Sequence, residues 1–186
     1  MHAQGANFLL IGGTMLKHVI FMLILLGMTA PAIAIESGDV APAWDATDFS
    51  GDALSFPQMI AGKPTVLIFW ATWCGYCKAF MPHLAGIQED YGADKVNIVA
   101  INAREKGEGD PAAYIEGLGF SLTAVTDGDA IADDYGIRFI PGLMIVGTDG
   151  DIAWVRGWTD LPAGQTVAEL WDMQVREQLD RLLMEM

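Results

Sequence analysis

Apolar runs of strand length alternate with helical patterns along most of the chain. Residues 65–70 form a continuous, partly β-branched apolar run, which is typical of a central strand buried on both faces. From residue 74 to residue 91 the apolar side chains recur at helical spacing, and Pro82 inside that pattern predicts a kink. A second strand is predicted at residues 96–101.

The second half of the chain continues the alternation and adds a hairpin. Strands predicted at residues 143–146 and 152–155 are joined through Asp149-Gly150, a dipeptide typical of hairpin turns. Residues 35–52 are interrupted by proline and glycine and predict irregular structure. The other predicted elements are a helical turn at 56–61, helices at 111–117 and 129–135, a strand at 122–125 and an amphipathic C-terminal helix at 167–182. Together they predict one α/β domain whose sheet is parallel in its first half and antiparallel at its end.

The first 34 residues have the pattern of an export signal. Lys17 precedes the apolar run at residues 19–26, and Ala32-Ile33-Ala34 supplies a small-residue cleavage pattern. This pattern predicts cleavage before Ile35. The folded domain is then expected in the periplasm.

The same segment also fits a retained membrane anchor. Residues 19–35 are apolar for nearly the ~20 residues that a spanning helix needs, although Pro31 weakens this interpretation. Both alternatives place residues 35–186, the predicted domain, outside the cytoplasm. The start of the chain can be Met1 or Met15, because no charge precedes Lys17.

The composition and net charge of the chain indicate which kinds of molecule it is expected to bind. The chain has 24 acidic and 10 basic side chains, a formal net charge of -14, which excludes nucleic acid as the default partner. With 52% hydrophobic residues it can bury a substantial core. The acidic excess has two interpretations, steering of positively charged clients or solubility alone.

The candidate chemistry lies in Trp73-Cys74-Gly75-Tyr76-Cys77-Lys78, which contains the only two cysteines. A pair this close in sequence cannot serve as a disulfide scaffold, so its role is predicted to be chemical. At a helix N-terminus, Cys74 is favoured as a thiolate and is the expected exposed nucleophile. Cys77, three residues later and more buried, can resolve a mixed disulfide at Cys74.

A structural zinc site is the alternative for such a pair. A closed zinc site needs about four ligands, and the chain has no second cysteine pair. His83 is the only histidine after residue 34. We therefore predict no zinc and no other cofactor, and we keep Cu(I) binding by two thiolates as a separate possibility.

The motif and its surroundings resemble the TlpA-like thioredoxin-fold thiol:disulfide oxidoreductases exported by bacteria. The matching elements lie between about residues 40 and 160 and are Ala41-Pro42, residues 62–67, Phe69-Trp70-Ala71-Thr72-Trp73-Cys74-Gly75-Tyr76-Cys77-Lys78, Met81-Pro82, residues 135–141 and Asp149-Gly150. The resemblance implies a thioredoxin fold, a central mixed sheet flanked by helices. It also implies that Pro141 is a cis proline beside the cysteines and that the backbone of Ile140 pairs with an extended substrate. Trp73 is expected to border Cys74, as in the family, and together with Tyr76, Ile140 and Pro141 it makes up the small face predicted to meet substrate.

The sequence departs from this family in three respects: the dipeptide between the cysteines, the missing acid and the residue before Pro141. Many relatives have Gly-Pro between the cysteines, where this chain has Gly75-Tyr76. Ile68 and Phe80 stand where thioredoxins and some cytochrome-maturation reductases, respectively, carry an acid. The proton acceptor for Cys77 is therefore not identified by the sequence. Ile140 is apolar where Thr or Val is frequent.

Other residues near the motif carry weaker signals. His83 lies about two and a half helical turns after Cys74, which favours a packing or surface role. The charged run from Glu105 to Asp110 predicts a solvated loop, although an insertion in this region shapes the partner surface in TlpA-like proteins. Four tryptophans are expected in the core, namely Trp70, Trp154, Trp158 and Trp171.

These observations leave three functional hypotheses. The first is an exported, monomeric reductant of client proteins such as apocytochrome c or copper-site assembly proteins, supplied with electrons by a membrane thiol reductant. The second is a disulfide oxidase or isomerase, which the Gly75-Tyr76 dipeptide suggests. The third is a Cu(I)-binding dithiol protein. A peroxidase is disfavoured, because the Pro and Thr arrangement expected ahead of a peroxidatic cysteine is absent.

Overall fold

A mixed five-stranded sheet forms the centre of the computed structural model, which describes residues 35–185. The signal or anchor predicted at residues 1–34 lies outside the described residues. The strands are β1 Trp44–Thr47, β2 Ala53–Phe56, β3 Thr65–Trp70, β4 Asn97–Asn102, β5 Thr123–Val125, β6 Gly142–Val146 and β7 Ile152–Val155. The helices are α1 Gly75–Tyr91, α2 Pro111–Glu116, α3 Asp129–Asp134 and α4 Val167–Met184, with a 3-10 turn at Gln58–Ile60.

The sheet has the strand order β5-β4-β3-β6-β7. Strands β3, β4 and β5 are parallel, whereas β6 is antiparallel to β3 and β7 is antiparallel to β6. This arrangement confirms the predicted mixed sheet. All six residues of β3 are buried, as expected for a parallel strand covered on both faces.

Alternate residues of β3 contribute to two separate cores, because successive side chains of a strand point to opposite faces. Val66 and Ile68 pack in the core that includes the buried stripe of α1 and Trp171 of α4. Leu67 and Phe69 pack in the other core, with Phe56 at the end of β2. The central strand is therefore held from both sides, and its last residue leads directly into the cysteine motif.

Helix α1 carries the motif and presents one apolar face to the sheet. It continues through Pro82 as a single helix, and its buried residues are Cys77, Phe80, Met81, Leu84 and Ile87. Their spacing of three and four residues places them on one side of the helix. Within residues 35–185, no helix has the length and apolar character needed to cross a membrane.

The N-terminal part of the domain differs from the prediction. Residues 35–52 were expected to be irregular, but β1 lies there and pairs with β2 as an antiparallel hairpin. Phe56, expected in a helical turn, ends β2 and stacks on Trp44 with ring centroids 5.3 Å apart. Strands of four residues carry too little alternation to be recognised, and the aromatic pair that joins them is twelve positions apart in the sequence.

Candidate active site

The two cysteines lie at the start of α1 and form a disulfide. Cys74 is the N-cap residue, and its Sγ accepts a hydrogen bond from the backbone N–H of Cys77 at 3.1 Å. This geometry confirms the predicted helix N-terminal position, where the backbone N–H groups and the helix dipole favour a thiolate.

The expected exposure of Cys74 is not observed in this disulfide form. Cys74 is 4% exposed and Cys77 is fully buried. In this form the sulfur of Cys74 is bonded to Cys77, and both cysteines belong to the buried core that includes α1. Cys74 is still the more accessible of the two, as its assignment as nucleophile requires.

The Ile140–Pro141 peptide bond is cis, as the resemblance implied. A second cis bond, Phe56–Pro57, was not expected. Gly142, the first residue of β6, pairs with Phe69 near the end of β3, and the two strands are antiparallel. The residues before Gly142 therefore extend past the end of β3, toward the loop that carries Cys74.

Gly142 allows this close approach. A Cβ atom at this position would lie 2.8 Å from Cδ1 of Ile137 and 3.2 Å from Cδ2 of Phe69. Both distances are shorter than a normal carbon–carbon contact. The absence of a side chain at Gly142 therefore lets β6 pack directly on the strand that leads into the motif.

A groove of about 640 Å³ opens beside the motif. It brings together Tyr76, Ile140 and Pro141, three of the residues predicted to meet substrate. Its rim carries exposed apolar side chains, namely Tyr76, Phe139, Trp158 and Leu161. Trp158, expected in the core, is 97% exposed, because it follows β7 in a loop outside the sheet.

Trp73 does not line this groove. It borders a second depression, lined also by Thr72 and Lys78. Its indole Nε1 donates to the carbonyl oxygen of Arg104 at 2.7 Å, and Lys106 Nζ lies 3.7 Å from the ring centroid. Arg104 has a φ of 63° and forms ion pairs with Asp129 and Asp133 of α3. The loop after β4 therefore fixes the indole at the edge of the motif.

Glu105 anchors the backbone just before the motif, a role that the sequence analysis missed. Its carboxylate accepts hydrogen bonds from the N–H and Oγ1 of Thr72 and from Nδ2 of Asn102, each at 2.7 Å. The sequence offers no local signal for this contact, which forms because Trp70 and Asn102 are partners in the parallel pair β3–β4. Residues that shortly follow two such partners meet at the same edge of the sheet.

The surroundings of Glu105 favour its charged form. Burial alone would raise its pKa, but hydrogen bonds from the Thr72 and Asn102 side chains and from the backbone N–H groups of Thr72 and Lys106 outweigh burial. The pKa of Glu105 is therefore held below its ordinary value. The carboxylate stabilises the fold fully above that ordinary value, and this contribution is lost as the pH falls through the lower, folded-state value.

We expect Glu105→Gln to reduce the free energy of unfolding by about 1 to 2 kcal/mol near neutral pH. The deficit should shrink as the pH falls below the ordinary pKa of a glutamate, because the wild-type protein then progressively loses the stabilisation that its carboxylate provides. Denaturant titrations of both proteins across pH measure this difference. Glu108→Gln, at an exposed position in the same loop, is the matched control and should show no deficit. A deficit for Glu105→Gln that does not change with pH would contradict a role for the charge.

Arg156 is the second functional candidate that the sequence did not reveal. It follows β7, and its Nη2 donates to the carbonyl oxygen of Pro141 at 2.7 Å. Its guanidinium also lies over the ring of Trp171, 4.8 Å from the centroid. Arg156 thus holds the segment containing the cis proline from the groove side.

The remaining questions about the site concern metal-binding groups and the position of His83. Within residues 35–185, no group of three or more His, Cys, Asp or Glu side chains is arranged to hold a metal ion. His83 stacks on Phe80, with centroids 6.0 Å apart, and its Nδ1 lies 3.8 Å from Asp172. This placement agrees with the predicted packing role.

Comparisons with known proteins agree on fold and chemistry. A sequence model of the AhpC/TSA family matches residues 37–155. The thioredoxin-like protein YneN of Bacillus subtilis (strain 168) is 33% identical over 122 residues, which cover 64% of this chain and 71% of that protein. The thiol-disulfide oxidoreductase ResA of Halalkalibacterium halodurans is 31% identical over 121 residues, 64% of this chain and 68% of the relative.

A solved structure has the same fold. The solution structure of a thiol:disulfide interchange protein from Bacteroides sp. superposes with a TM-score of 0.60 at 20% identity, covering 80% of this chain and 93% of the other. At this identity the likeness concerns the fold alone. It confirms the predicted thioredoxin-like architecture.

Proposed function

Because the chain belongs to the AhpC/TSA family and is a thiol-disulfide oxidoreductase, we propose that it is exported and acts mainly as a reductant of disulfides in client proteins. The electrons would come from a membrane thiol reductant. Apocytochrome c and copper-site assembly proteins are the client classes that the resemblance to TlpA-like proteins suggests.

In the proposed reaction the reduced protein transfers two electrons to the client. The Cys74 thiolate attacks one sulfur of the client disulfide, forming a mixed disulfide and releasing the other client sulfur as a thiolate, which takes up a proton. Cys77 loses its proton and attacks Cys74. The client's second sulfur leaves, and the disulfide Cys74–Cys77 is formed. The client is reduced by two electrons, and the protein is oxidised by two.

The contacts of Cys74 support the reducing direction: within residues 35–185 its sulfur accepts a hydrogen bond from a backbone N–H group, and no cationic side chain donates to it. Strongly oxidising proteins of this kind have a reduced form stabilised by a very low nucleophile pKa. Here Cys74 lies at the helix N-terminus and its sulfur accepts a hydrogen bond from the N–H of Cys77. The nearby cations contact aromatic rings, with Lys78 5.6 Å from the ring centroid of Tyr114 and Lys106 over Trp73.

The reduction potential of the Cys74/Cys77 couple tests this proposal. Equilibration with defined mixtures of reduced and oxidised dithiothreitol, followed by alkylation and mass analysis, measures it. We expect a value near that of thioredoxin, ~-270 mV. A value of ~-180 mV or higher, in the range of disulfide isomerases and oxidases, would overturn the reducing role.

Export is supported by the sequence alone. The basic residue, apolar run and Ala32-Ile33-Ala34 of the first 34 residues have the order of a signal peptide. Cell fractionation and N-terminal sequencing of the recovered protein test it. An N-terminus at Ile35 in the periplasm would support cleavage, and a full-length membrane-bound form would support the anchor.

A further inference from the structure

The groove beside the motif combines an apolar lining with a single charge. Tyr76, Phe139, Ile140, Trp158 and Leu161 contribute rings and aliphatic groups to it. Arg156 is the one charged residue among those that line it. Asp160 lies between two lining residues in sequence but is exposed and does not line the groove.

Within the described residues, the groups that the Arg156 guanidinium contacts are neutral. Besides Pro141, its Nη1 donates to Thr159 Oγ1 at 3.3 Å and to the Gly157 carbonyl oxygen at 3.5 Å. Its Nε is buried and has no hydrogen-bond partner. Within residues 35–185, no carboxylate oxygen lies within 4.0 Å of it, whereas Arg104, Arg176 and Arg181 each have a carboxylate partner.

The Arg156 guanidinium is partly buried and has therefore lost some of its hydration. Neutral hydrogen-bond partners offset only part of the free-energy cost of that loss. Burial lowers the pKa of Arg156, which reflects this cost to the charged form. A carboxylate brought into the groove would form charge-assisted hydrogen bonds with the guanidinium. The apolar rim, with Tyr76 and Trp158, would shield such a pair from water and strengthen it.

We propose that the groove selects client segments that carry a Glu or Asp beside the reactive cysteine, with Arg156 pairing with that carboxylate. This inference rests on the proposed function, because it names the substrate class of the same site. The net charge of -14 would suggest basic clients. Inside the groove the opposite preference is expected, because Arg156 is the one charged residue among those that line it.

Paired disulfide peptides test the inference. Two peptides differ only by Glu or Gln next to the cysteine, and their reduction by the fully reduced protein is followed by stopped-flow tryptophan fluorescence. We expect the Glu peptide to react about tenfold faster, the effect of one charge-assisted hydrogen bond. The preference should decline with added salt.

Variants assign the preference to Arg156. Arg156→Gln should reduce both rates, since it also releases the Pro141 carbonyl, but the Glu-to-Gln ratio should fall to about one. Arg156→Lys should retain part of the ratio. Arg181→Gln, in which an exposed cation of α4 paired with Glu177 is removed, should leave the ratio unchanged.

A binding measurement separates this inference from the proposed function. Peptides with Ser in place of Cys cannot exchange, so their affinity for the native disulfide form reports the groove alone. Tighter binding of the Glu peptide supports the inference even if neither disulfide peptide is reduced, which would overturn only the reducing role. Equal rates and equal affinities for the two peptides would overturn the inference and leave the reducing role intact.

Discussion

Replacing Cys77 with serine is expected to trap client proteins on Cys74 and to lower turnover at least about 100-fold. In the structure Cys77 is fully buried and is bonded to Cys74 within one turn of α1. Its attack on a mixed disulfide is therefore intramolecular, with an effective concentration far above that of free thiols. Without it, the bond between Cys74 and the client persists.

The reciprocal variant provides the control. Cys74→Ser removes the nucleophile at the helix N-terminus, and the remaining Cys77 is shielded in the α1 core. We expect this variant to have no turnover and to trap no client. Non-reducing gel electrophoresis followed by mass mapping distinguishes the two variants. Trapping by Cys74→Ser, or clients found on Cys77, would reverse the assigned order of attack.

Replacing Phe80 with alanine is expected to lower the free energy of unfolding by about 3 to 5 kcal/mol. Phe80 is fully buried, and its ring meets Trp171 edge-on, with centroids 5.8 Å apart and an interplanar angle of 85°. The substitution removes this aromatic contact and leaves a cavity between α1 and α4. Chemical denaturation of the disulfide form measures the loss.

Two further variants make the Phe80 experiment specific. Phe80→Leu retains most of the buried volume and should cost less than about 1.5 kcal/mol. Met173→Ala, at a half-exposed position on α4, should change stability by no more than about 0.5 kcal/mol. A loss below about 1 kcal/mol for Phe80→Ala would show that the neighbouring helices close the cavity, contrary to the packing described here.

The predictable part of the fold is the part with long, regular patterns. The six apolar residues of β3 and the apolar stripe of α1 are recognisable because each depends on one local period. Hairpin β6–β7 is marked by Asp149-Gly150 between its strands. Hairpin β1–β2 has Ser50-Gly51 in its loop, but its strands are too short to show alternation, and its stability depends on Trp44 and Phe56 packing over the sheet.

The candidate site divides in the same way. The roles of Cys74 and Cys77 depend on a spacing of three residues, which the sequence displays directly. Glu105 acts on Thr72 across 33 positions, and Arg156 acts on Pro141 across 15. Such contacts are created by sheet topology, so a charged residue that serves the site resembles any solvated one in the sequence. The exposed Trp158 is the converse case, an apolar residue whose loop lies outside the core.

The close packing at Gly142 determines where this scaffold can be diversified. Because a side chain at position 142 would collide with Ile137 and Phe69, substitution of Gly142 carries a folding cost. Phe139 and Trp158 at the groove rim are exposed, so substitutions there are expected to change the free energy of unfolding little. Substitutions of single rim side chains can therefore change which substrates the groove binds, while the two cysteines and Pro141 stay unchanged.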